Sequence, residues 1–320
     1  MDLSESTMSD AADKVADQLA ILVARIKERM IEGGVVRSDE TYIRYLDRII
    51  PGGSARGYFW VYRGLDGDVI FDWQTSREHH HLADWLGADF EGILQSDGYE
   101  AYERYCELQR RRGKDVRRAA CLAHIRRKFE KALKERPALV RWILKIIGRL
   151  YRTEAMLREH RAPPEVRARV RQNLSRPLIR LLGKAFRHLR ATAILPKSTL
   201  GQALNYALGQ WSAMETYLED GRIEIDNNDT ENDIRPSAVS KKNWLFIGHP
   251  EAGRRSAILY TLLISARNHG IDPQAYLKDV IERLPSMRPA DLDALLPSAW
   301  AAAHRAKHPL AKPDRTATAA

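Results

Sequence analysis

Val35-Val-Arg-Ser-Asp39-Glu-Thr-Tyr-Ile43 follows directly on Gly33-Gly34, and the hydrophobic period of the chain changes at this point. Before the glycines, five apolar residues recur at helical spacing, namely Leu19, Leu22, Val23, Ile26 and Met30. After them, apolar residues flank Asp39 in the manner of a short strand. The sequence therefore predicts a helix that ends at the glycine pair and a sheet that begins at Val35.

Four further segments extend the predicted sheet. Gly57 to Arg63 is dense in aromatic residues, and Asp66-Gly67 turns the chain into an alternating segment from Val69 to Trp73, so the first three strands are expected to be antiparallel. Shorter apolar strands are predicted from Gly92 to Gln95 and from Ala119 to Leu122. Helices are predicted between them, from His79 to Leu86 and from Tyr99 to Arg112, so the expected fold class is α/β.

Strand patterns disappear after a predicted helix that runs from His124 to about Lys134. A helical apolar face then recurs from Leu139 to Leu150, from Val166 to Leu189 and from Leu200 to Leu218. We interpret this stretch as an inserted helical bundle that closes at Asp220-Gly221.

The rest of the chain is predicted to return to the sheet region. A short strand is expected from Trp244 to Ile247, followed by helices from Arg254 to His269 and from Pro273 to Arg283. The tail beyond Lys307 is polar and rich in small residues, which predicts disorder.

Composition limits the class of protein. Lys and Arg number 52 against 42 Asp and Glu, which gives a formal net charge of +10 and favours a polyanionic partner, although a merely solvated basic surface is the alternative. The two cysteines, Cys106 and Cys121, exclude a disulfide framework and a four-cysteine zinc site within the chain. With neither a secretion signal nor an apolar run of about 18 residues, we expect a soluble, cytoplasmic protein with no membrane partner.

Two aspartates lie where strands are predicted. Asp39 stands within the first strand among apolar residues, where a charge needs a partner or a metal; a turn or cap role is the alternative. Asp97 follows the fourth strand and precedes Gly98, so its side chain is expected at the carboxyl end of that strand. Its alternative role is to cap the helix that begins at Tyr99.

A third carboxylate lies in the polar run Asp226-Asn-Asn-Asp-Thr-Glu231-Asn-Asp-Ile-Arg235-Pro236. If the run is helical, Asn227, Glu231 and Arg235 share a face, Asp226 caps the start, and Pro236 ends or kinks the helix. The alternative interpretation is a capped surface helix with a Glu–Arg pair.

Hard oxygen ligands of this kind suit a pair of Mg²⁺ ions about 4 Å apart, which activate the attacking oxygen and stabilise the leaving oxygen in phosphoryl transfer. Zinc is not predicted. Cys121-x-x-His124 and His79-His80-His81 each lack the companion ligands of a zinc site in the sequence. His124 is therefore expected at the start of a helix, near the carboxylates or near a polyanionic partner.

Six blocks of the chain resemble the catalytic region of the insertion-sequence-sixty-six-type transposase family. They are Ser38-Asp-Glu-Thr41, Gly57-Tyr-Phe-Trp-Val-Tyr62, Leu94-Gln-Ser-Asp97-Gly-Tyr99, Cys121-Leu-Ala-His124-Ile-Arg-Arg-Lys128, Ile225-Asp-Asn-Asn228 through Pro236, and Lys242-Asn-Trp-Leu-Phe246. With the helix from Ala257 to Gly270, the likeness covers roughly residues 35 to 284 in the family's order.

The resemblance implies a ribonuclease-H-like mixed sheet flanked by helices and interrupted by a helical insertion. It also implies that Asp39, Asp97 and Glu231 are the catalytic residues and the ligands of two Mg²⁺ or Mn²⁺ ions. The implied reaction is cleavage at the ends of a mobile element, followed by attack of the freed 3′-hydroxyl on target DNA. A nuclease without joining activity and an inactive remnant that only binds DNA remain the alternatives.

The implied partner is double-stranded DNA, both element ends and target, in the bacterial cytoplasm and nucleoid. Six basic residues are predicted to contact its phosphates, with a solvated basic face as the alternative: Arg126, Arg127, Lys241, Lys242, Arg254 and Arg255. The resemblance further implies a homo-oligomer on DNA and allows accessory proteins of the same element.

Five parts are expected along the chain. Residues 1–34 form an N-terminal helix, the remnant of a longer N-terminal region, and residues 35–135 form the first part of the catalytic domain. The helical insertion spans 136–220, and the second catalytic part, with the third carboxylate, spans 221–285. A C-terminal helix and the disordered tail occupy 286–320.

Overall fold

A computed structural model describes residues 4–47, 49, 53–192 and 194–307 of the chain. Its sheet consists of β1 (Val35–Leu46), β2 (Ser54–Arg63), β3 (Val69–Gln74), β4 (Gly92–Ser96) and β5 (Val116–Ala120). The strand order is β3-β2-β1-β4-β5; β1, β2 and β3 are antiparallel, while β1, β4 and β5 are parallel. The α/β class, the mixed sheet and the antiparallel start are thus confirmed, and β5 begins earlier than predicted.

Helices surround the sheet and fill the stretch in which strand patterns disappear. They are α1 (Glu5–Glu32), α2 (His80–Leu86), α3 (Glu100–Arg111), α4 (Leu122–Lys131), α5 (Pro137–Glu159), α6 (Pro164–Val170), α7 (Arg176–Ala191), α8 (Thr199–Gly209), α9 (Trp211–Thr216), α10 (Asn228–Trp244), α11 (Pro250–Asn268), α12 (Pro273–Arg283) and α13 (Pro297–Lys307). In the described part of this chain, no helix combines the length and the apolar character needed to cross a membrane.

Two glycines let the parallel strands β1 and β4 approach each other. Gly34 has φ +68° and Gly92 has φ +144°, conformations that side chains disfavour. A Cβ atom on Gly92 would lie 2.2 Å from the carbonyl oxygen of Gly34, while the amide of Ile93 donates to that same oxygen at 2.9 Å. The close approach therefore sets where β4 enters the sheet.

Both faces of the sheet are covered. Val36, Trp60 and Leu94 belong to one buried cluster, which includes apolar residues of α1, α2 and α3. Phe59 and Phe71 belong to a second cluster with residues of α10 and α11. Because successive side chains of a strand point to opposite faces, this double cover accounts for the nearly continuous burial of β2.

Helix α11 runs beside the edge strand β3 and satisfies its outward backbone groups. The Thr261 hydroxyl accepts from the amide of Phe71 at 2.9 Å and donates to the carbonyl of Ala257 at 2.8 Å. The Ser265 hydroxyl accepts from the amide of Val69 at 2.9 Å. Side-chain hydroxyls thus take the place of a sixth strand at this edge.

The structure corrects the end of the polar segment. The predicted strand from Trp244 to Ile247 is wrong, because α10 continues through Pro236 to Trp244. Of that segment, Ile247 alone forms a bridge to the sheet, opposite Tyr45. The amide of Ile247 donates to the carbonyl of Arg44 at 2.8 Å. Pro236, which has no amide hydrogen to donate, lies inside α10 and does not end it. The predicted disorder beyond Lys307 lies outside the described residues.

Candidate active site

The strands place Asp39 and Asp97 side by side. Arg37 of β1 is the register partner of Gln95 of β4 in the parallel pair. Asp39 lies two residues further along β1, and Asp97 lies two residues beyond Gln95, directly after the end of β4. Because parallel strands end at the same edge, this register brings the two carboxylates to neighbouring positions.

Helix α10 is held against β1 just before Glu231. The side-chain amide of Asn227 donates to the carbonyl of Ser38 at 2.8 Å, directly beside Asp39. The amide of Asn228 donates to Oδ1 of Asp226 at 3.1 Å, as expected for a capping residue. Two ion pairs join the helix to the strands: Arg37 with Asp229 at 2.9 Å and Arg63 with Asp233 at 2.5 Å.

Asp39 lies within the electrostatic influence of the other two carboxylates. Burial and, to a smaller extent, the charges of Glu40, Asp97 and Glu231 raise the pKa of Asp39 to about 8, although a backbone hydrogen bond from Glu40 opposes the rise. The structure therefore brings Asp39, Asp97 and Glu231 together. Such a concentration of carboxylate oxygens fits the donor set that Mg²⁺ prefers.

Each aspartate also accepts a hydrogen bond from the backbone. Oδ1 of Asp39 accepts from the amide of Glu40, and Oδ1 of Asp97 accepts from the amide of Tyr99, both at 2.8 Å. Because α3 begins at Glu100 with Tyr99 as its cap residue, the bond from Tyr99 orders the loop before the helix and does not cap it. The alternative cap role of Asp97 is therefore not found.

The sequence analysis missed a second acidic residue beside Asp39. Glu40 is almost fully buried, with 3% of its side chain exposed, and it forms an ion pair with Arg77. Tyr102 donates a hydrogen bond to its other carboxylate oxygen. The guanidinium of Arg77 also lies 3.7 Å from the ring centre of Tyr99. Burial raises the pKa of Glu40, while Tyr102 and Arg77 oppose that rise. Arg77 stands in a loop without a recognisable pattern.

Glu231 is engaged by two residues of α4. The Arg127 guanidinium donates to both carboxylate oxygens, at 3.1 Å to Oε1 and 2.6 Å to Oε2. Nδ1 of His124 lies 3.7 Å from Oε1. The hydrogen bonds to Glu231 raise the pKa of Arg127. The expected position of His124 near the active site therefore agrees with the structure, whereas Arg127 contacts the acidic site itself.

Three of the other predicted phosphate-binding residues, Arg126, Arg254 and Arg255, also have partners within the chain. Nε of Arg126 donates to Oε1 of Glu130 at 2.9 Å, across one helical turn. Such exposed pairs contribute little, so they do not prevent a switch to phosphate. Lys241 and Lys242 lie in α10, but their side chains lie outside what the structure describes.

Arg254 and Arg255 of α11 face α1. Arg254 forms an ion pair with Asp17, and Arg255 forms one with Asp13 at 2.6 Å. Arg255 also donates to the carbonyl of Ser9 at 3.1 Å. The acidic side of the N-terminal helix thus covers the two arginines for which DNA contacts are predicted.

The helical insertion reaches the loop that carries Asp97. The Tyr206 hydroxyl of α8 accepts from the amide of Gly98 at 3.1 Å. A Cβ atom on Gly98 would lie 2.7 Å from the Tyr206 ring, so this contact requires glycine. Arg118 of β5 donates to the carbonyl of Asp97 at 3.0 Å and also hydrogen-bonds Gln210.

Comparison with known families identifies the class of protein as transposase. The family model described as Transposase IS66 family matches residues 1–255, and the model described as IS66 C-terminal element matches residues 261–298. The chain therefore belongs to the IS66 transposase family, which confirms the resemblance found in the sequence.

Three relatives come from Sinorhizobium fredii (strain NBRC 101917 / NGR234). Uncharacterized protein y4jD is 38% identical over 223 residues, which cover 67% of this chain and 42% of the relative. Uncharacterized proteins y4qI and y4hP are 31% and 28% identical over 93% and 94% of this chain, and over 56% and 57% of their own lengths. The chain thus spans about half the length of these relatives. No solved structure matches it.

Proposed function

We propose that this chain is the catalytic part of a transposase that cuts DNA at the ends of a mobile element and joins them to target DNA. The observation that carries the proposal is that Asp39 of β1, Asp97 just after β4 and Glu231 of α10 lie close enough for the charges of Asp97 and Glu231 to raise the pKa of Asp39. Membership of the IS66 transposase family supports it.

The proposal includes a ribonuclease-H-like architecture. The strand order β3-β2-β1-β4-β5, with three antiparallel strands followed by two parallel ones, supports this assignment. A late helix that adds a third carboxylate after a helical insertion supports it as well. We further propose the five parts that are expected from the sequence. Residues 35–135 and 221–285 would form the catalytic domain, and residues 136–220 would form the insertion between its two halves.

Asp39, Asp97 and Glu231 would hold two Mg²⁺ or Mn²⁺ ions. When bound, these ions would activate the attacking oxygen and stabilise the leaving oxygen of the phosphodiester. Asp39 and Asp97 are positioned by the strands, and Asn227 positions the start of α10. Arg127 orients Glu231 through two hydrogen bonds and can turn toward a DNA phosphate as the metal ions neutralise the carboxylate.

Double-stranded DNA is the proposed partner, and two or more copies of the chain are expected to act on paired ends. Arg126, Arg127, Lys241, Lys242, Arg254 and Arg255 remain the proposed phosphate contacts. The net charge of +10 supports a polyanionic partner. Phosphate contacts of this kind position DNA without reading its sequence.

A strand-transfer assay tests the proposal. Labelled, pre-cut element ends and a target plasmid are incubated with the protein and Mg²⁺ or Mn²⁺. The wild-type protein and Asp89→Asn are expected to give joined product, whereas Asp97→Asn gives none. Asp89 is a matched control because 93% of its side chain is exposed.

Other outcomes would contradict the proposal. Cleavage without joined product would indicate a nuclease, and DNA binding with neither cleavage nor joining would indicate an inactive remnant. Product from Asp97→Asn at the wild-type rate would exclude the proposed catalytic site.

A further inference from the structure

Three side chains of different chemistry converge beside the acidic site. Cys121 lies between β5 and α4, His124 lies in the first turn of α4, and Glu231 lies in the first turn of α10. One ligand atom from each, a sulfur, a nitrogen and an oxygen, lies within 4.8 Å of the other two. Ligands of a tetrahedral metal ion lie about 3.5 Å apart, so small side-chain rotations suffice to close the site.

One of the three potential ligand atoms, Nδ1 of His124, is not used by the part of the protein that the structure describes. Nδ1 of His124 is buried and has no hydrogen-bond partner among the described residues. At 3.7 Å from Oε1 of Glu231, it is too distant for a hydrogen bond. A buried polar atom without a partner is costly, and a bound cation would remove that cost.

The cysteine is oriented as an acceptor. Sγ of Cys121 accepts a hydrogen bond from the backbone amide of Asn227 at 3.3 Å. An amide that points at sulfur stabilises a thiolate, which is the form that binds metals. Metal binding to the thiol would release its proton to solvent.

We propose that Cys121, His124 and Glu231 bind one Zn²⁺ ion. Three protein ligands leave the fourth position to water, as in zinc sites with an open coordination position. The thiolate and imidazole favour zinc over Mg²⁺, which prefers oxygen ligands alone. The site is therefore chemically distinct from the Mg²⁺ sites proposed at Asp39 and Asp97.

Glu231 is a proposed ligand of both the Mg²⁺ pair and the zinc ion, so zinc binding would affect catalysis. Arg127 donates to both carboxylate oxygens of Glu231, at 2.6 Å to Oε2 and at 3.1 Å to Oε1, and Oε1 also faces His124. A zinc ion at Oε1 would withdraw Glu231 from the proposed Mg²⁺ pair, so Zn²⁺ inhibits the Mg²⁺-dependent reaction. This consequence rests on the proposed function, but the binding of zinc does not.

Titration of the metal-free full chain with Co²⁺ tests the site, because Co²⁺ occupies zinc sites and has visible absorption. A thiolate ligand adds a charge-transfer band in the near ultraviolet. We expect this band to saturate at one equivalent of Co²⁺, with release of a proton. Zn²⁺ should abolish the band by competition, and a large excess of Mg²⁺ should leave it unchanged.

The two cysteines provide a matched pair of variants. Cys121→Ser should lose the charge-transfer band, whereas Cys106→Ser should retain it, because Cys106 is also buried but lies in α3. His124→Asn and Glu231→Gln should each weaken Co²⁺ affinity by at least about 100-fold, more than the loss of a group that only supports a ligand. These two variants decide the question if Cys121→Ser does not fold.

A second cluster serves as a control for adventitious binding. His80, His81 and Asp84 also place three ligand atoms within 4.8 Å of one another, but without sulfur. Their replacement by alanine should leave the charge-transfer band unchanged. Absence of the band in wild type, or its persistence in Cys121→Ser, would overturn the proposal. If zinc binds but the strand-transfer assay gives no product, the proposed function fails and the zinc site stands.

Discussion

Asp39 and Glu40 show how adjacent carboxylates on one strand meet different environments. Successive side chains of β1 point to opposite faces of the sheet, so the two acids do not share a partner. Glu40 is paired with Arg77 and Tyr102, while Asp39 lies within the influence of Asp97 and Glu231. One carboxylate is thus neutralised within the protein, and the other is left for a cation.

Arg77→Ala should destabilise the protein by about 1–3 kcal/mol, because Glu40 would remain buried without its ion-pair partner. Urea unfolding at pH 7 measures the change. Arg288→Ala, which removes an arginine with 82% of its side chain exposed, should change the stability by less than about 0.5 kcal/mol. Adding Glu40→Gln to Arg77→Ala should restore part of the lost stability. If the stability changes of the two single variants simply add in the double variant, Glu40 and Arg77 are not coupled.

Asp39→Asn should stabilise the metal-free protein at neutral and alkaline pH. The pKa of Asp39 is about 8 in the folded chain and about 4 in an unfolded one, so folding favours the protonated acid. The contribution of Asp39 to stability is therefore complete below about pH 4 and is lost as the pH rises through 8. Asparagine avoids this fall and should gain at least about 1.4 kcal/mol at pH 9, the equivalent of one pKa unit.

Thermal unfolding in a chelating buffer from pH 4 to pH 9 measures this difference. Asp89→Asn, at a carboxylate with 93% exposure, should follow the wild-type curve. Parallel curves for wild type and Asp39→Asn would show that Asp39 is not under electrostatic strain.

At the scale of elements, a phenol oxygen of the helical insertion contacts the loop that follows β4. Tyr206→Phe removes the acceptor for the Gly98 amide and should cost about 1 kcal/mol of stability. Because that loop follows Asp97 directly, strand transfer should also fall, by roughly tenfold for a comparable loss of positioning.

Tyr62→Phe is the matched control. The Tyr62 hydroxyl is buried without a hydrogen-bond partner in the described structure, and its ring is stacked 3.6 Å from that of Trp85. Its loss should change stability by less than about 0.5 kcal/mol. Equal effects of the two substitutions on strand transfer would argue against a role of the insertion in positioning Asp97.

Elements with a local pattern could be predicted from the sequence. Helix α1, the first three strands and β4 lie close to their predicted ranges, because glycine pairs, turns and apolar spacing mark them within a few residues. The end of α10 could not be predicted in this way. The aromatic run at Trp244 resembles a strand, but the helix continues through Pro236, against the local preference of proline.

The same distinction between local patterns and distant contacts applies to the residues of the candidate site. The three carboxylates could be singled out, because each stands at an unusual place in a local pattern. Their partners could not, since Arg127 and Glu231 are 104 positions apart, and Glu40 and Arg77 are 37 apart. Contacts between distant segments depend on the completed fold, which apolar spacing alone does not specify.

For the whole molecule, the contact between α1 and α11 should limit DNA binding. Asp17→Asn frees Arg254, and the affinity for DNA should rise. One additional phosphate contact should steepen the slope of log affinity against log salt by about 0.9. Fluorescence anisotropy with labelled duplex DNA over a series of salt concentrations measures both quantities.

Asp10→Asn is the control, because it removes the same charge from the same helix and leaves the Arg254 pair intact. It should raise affinity only slightly and leave the salt slope unchanged. If the two variants have the same slope, Arg254 does not contact phosphate.

The hydroxyls of Thr261 and Ser265 along β3 also restrict how copies of the chain can meet. An exposed edge strand is a template on which another chain can extend the sheet, and this is a common route to fibrils. Here, the outward amides of Val69 and Phe71 are already bonded to α11. Copies of the chain therefore cannot extend the sheet by pairing with the amides of Val69 and Phe71.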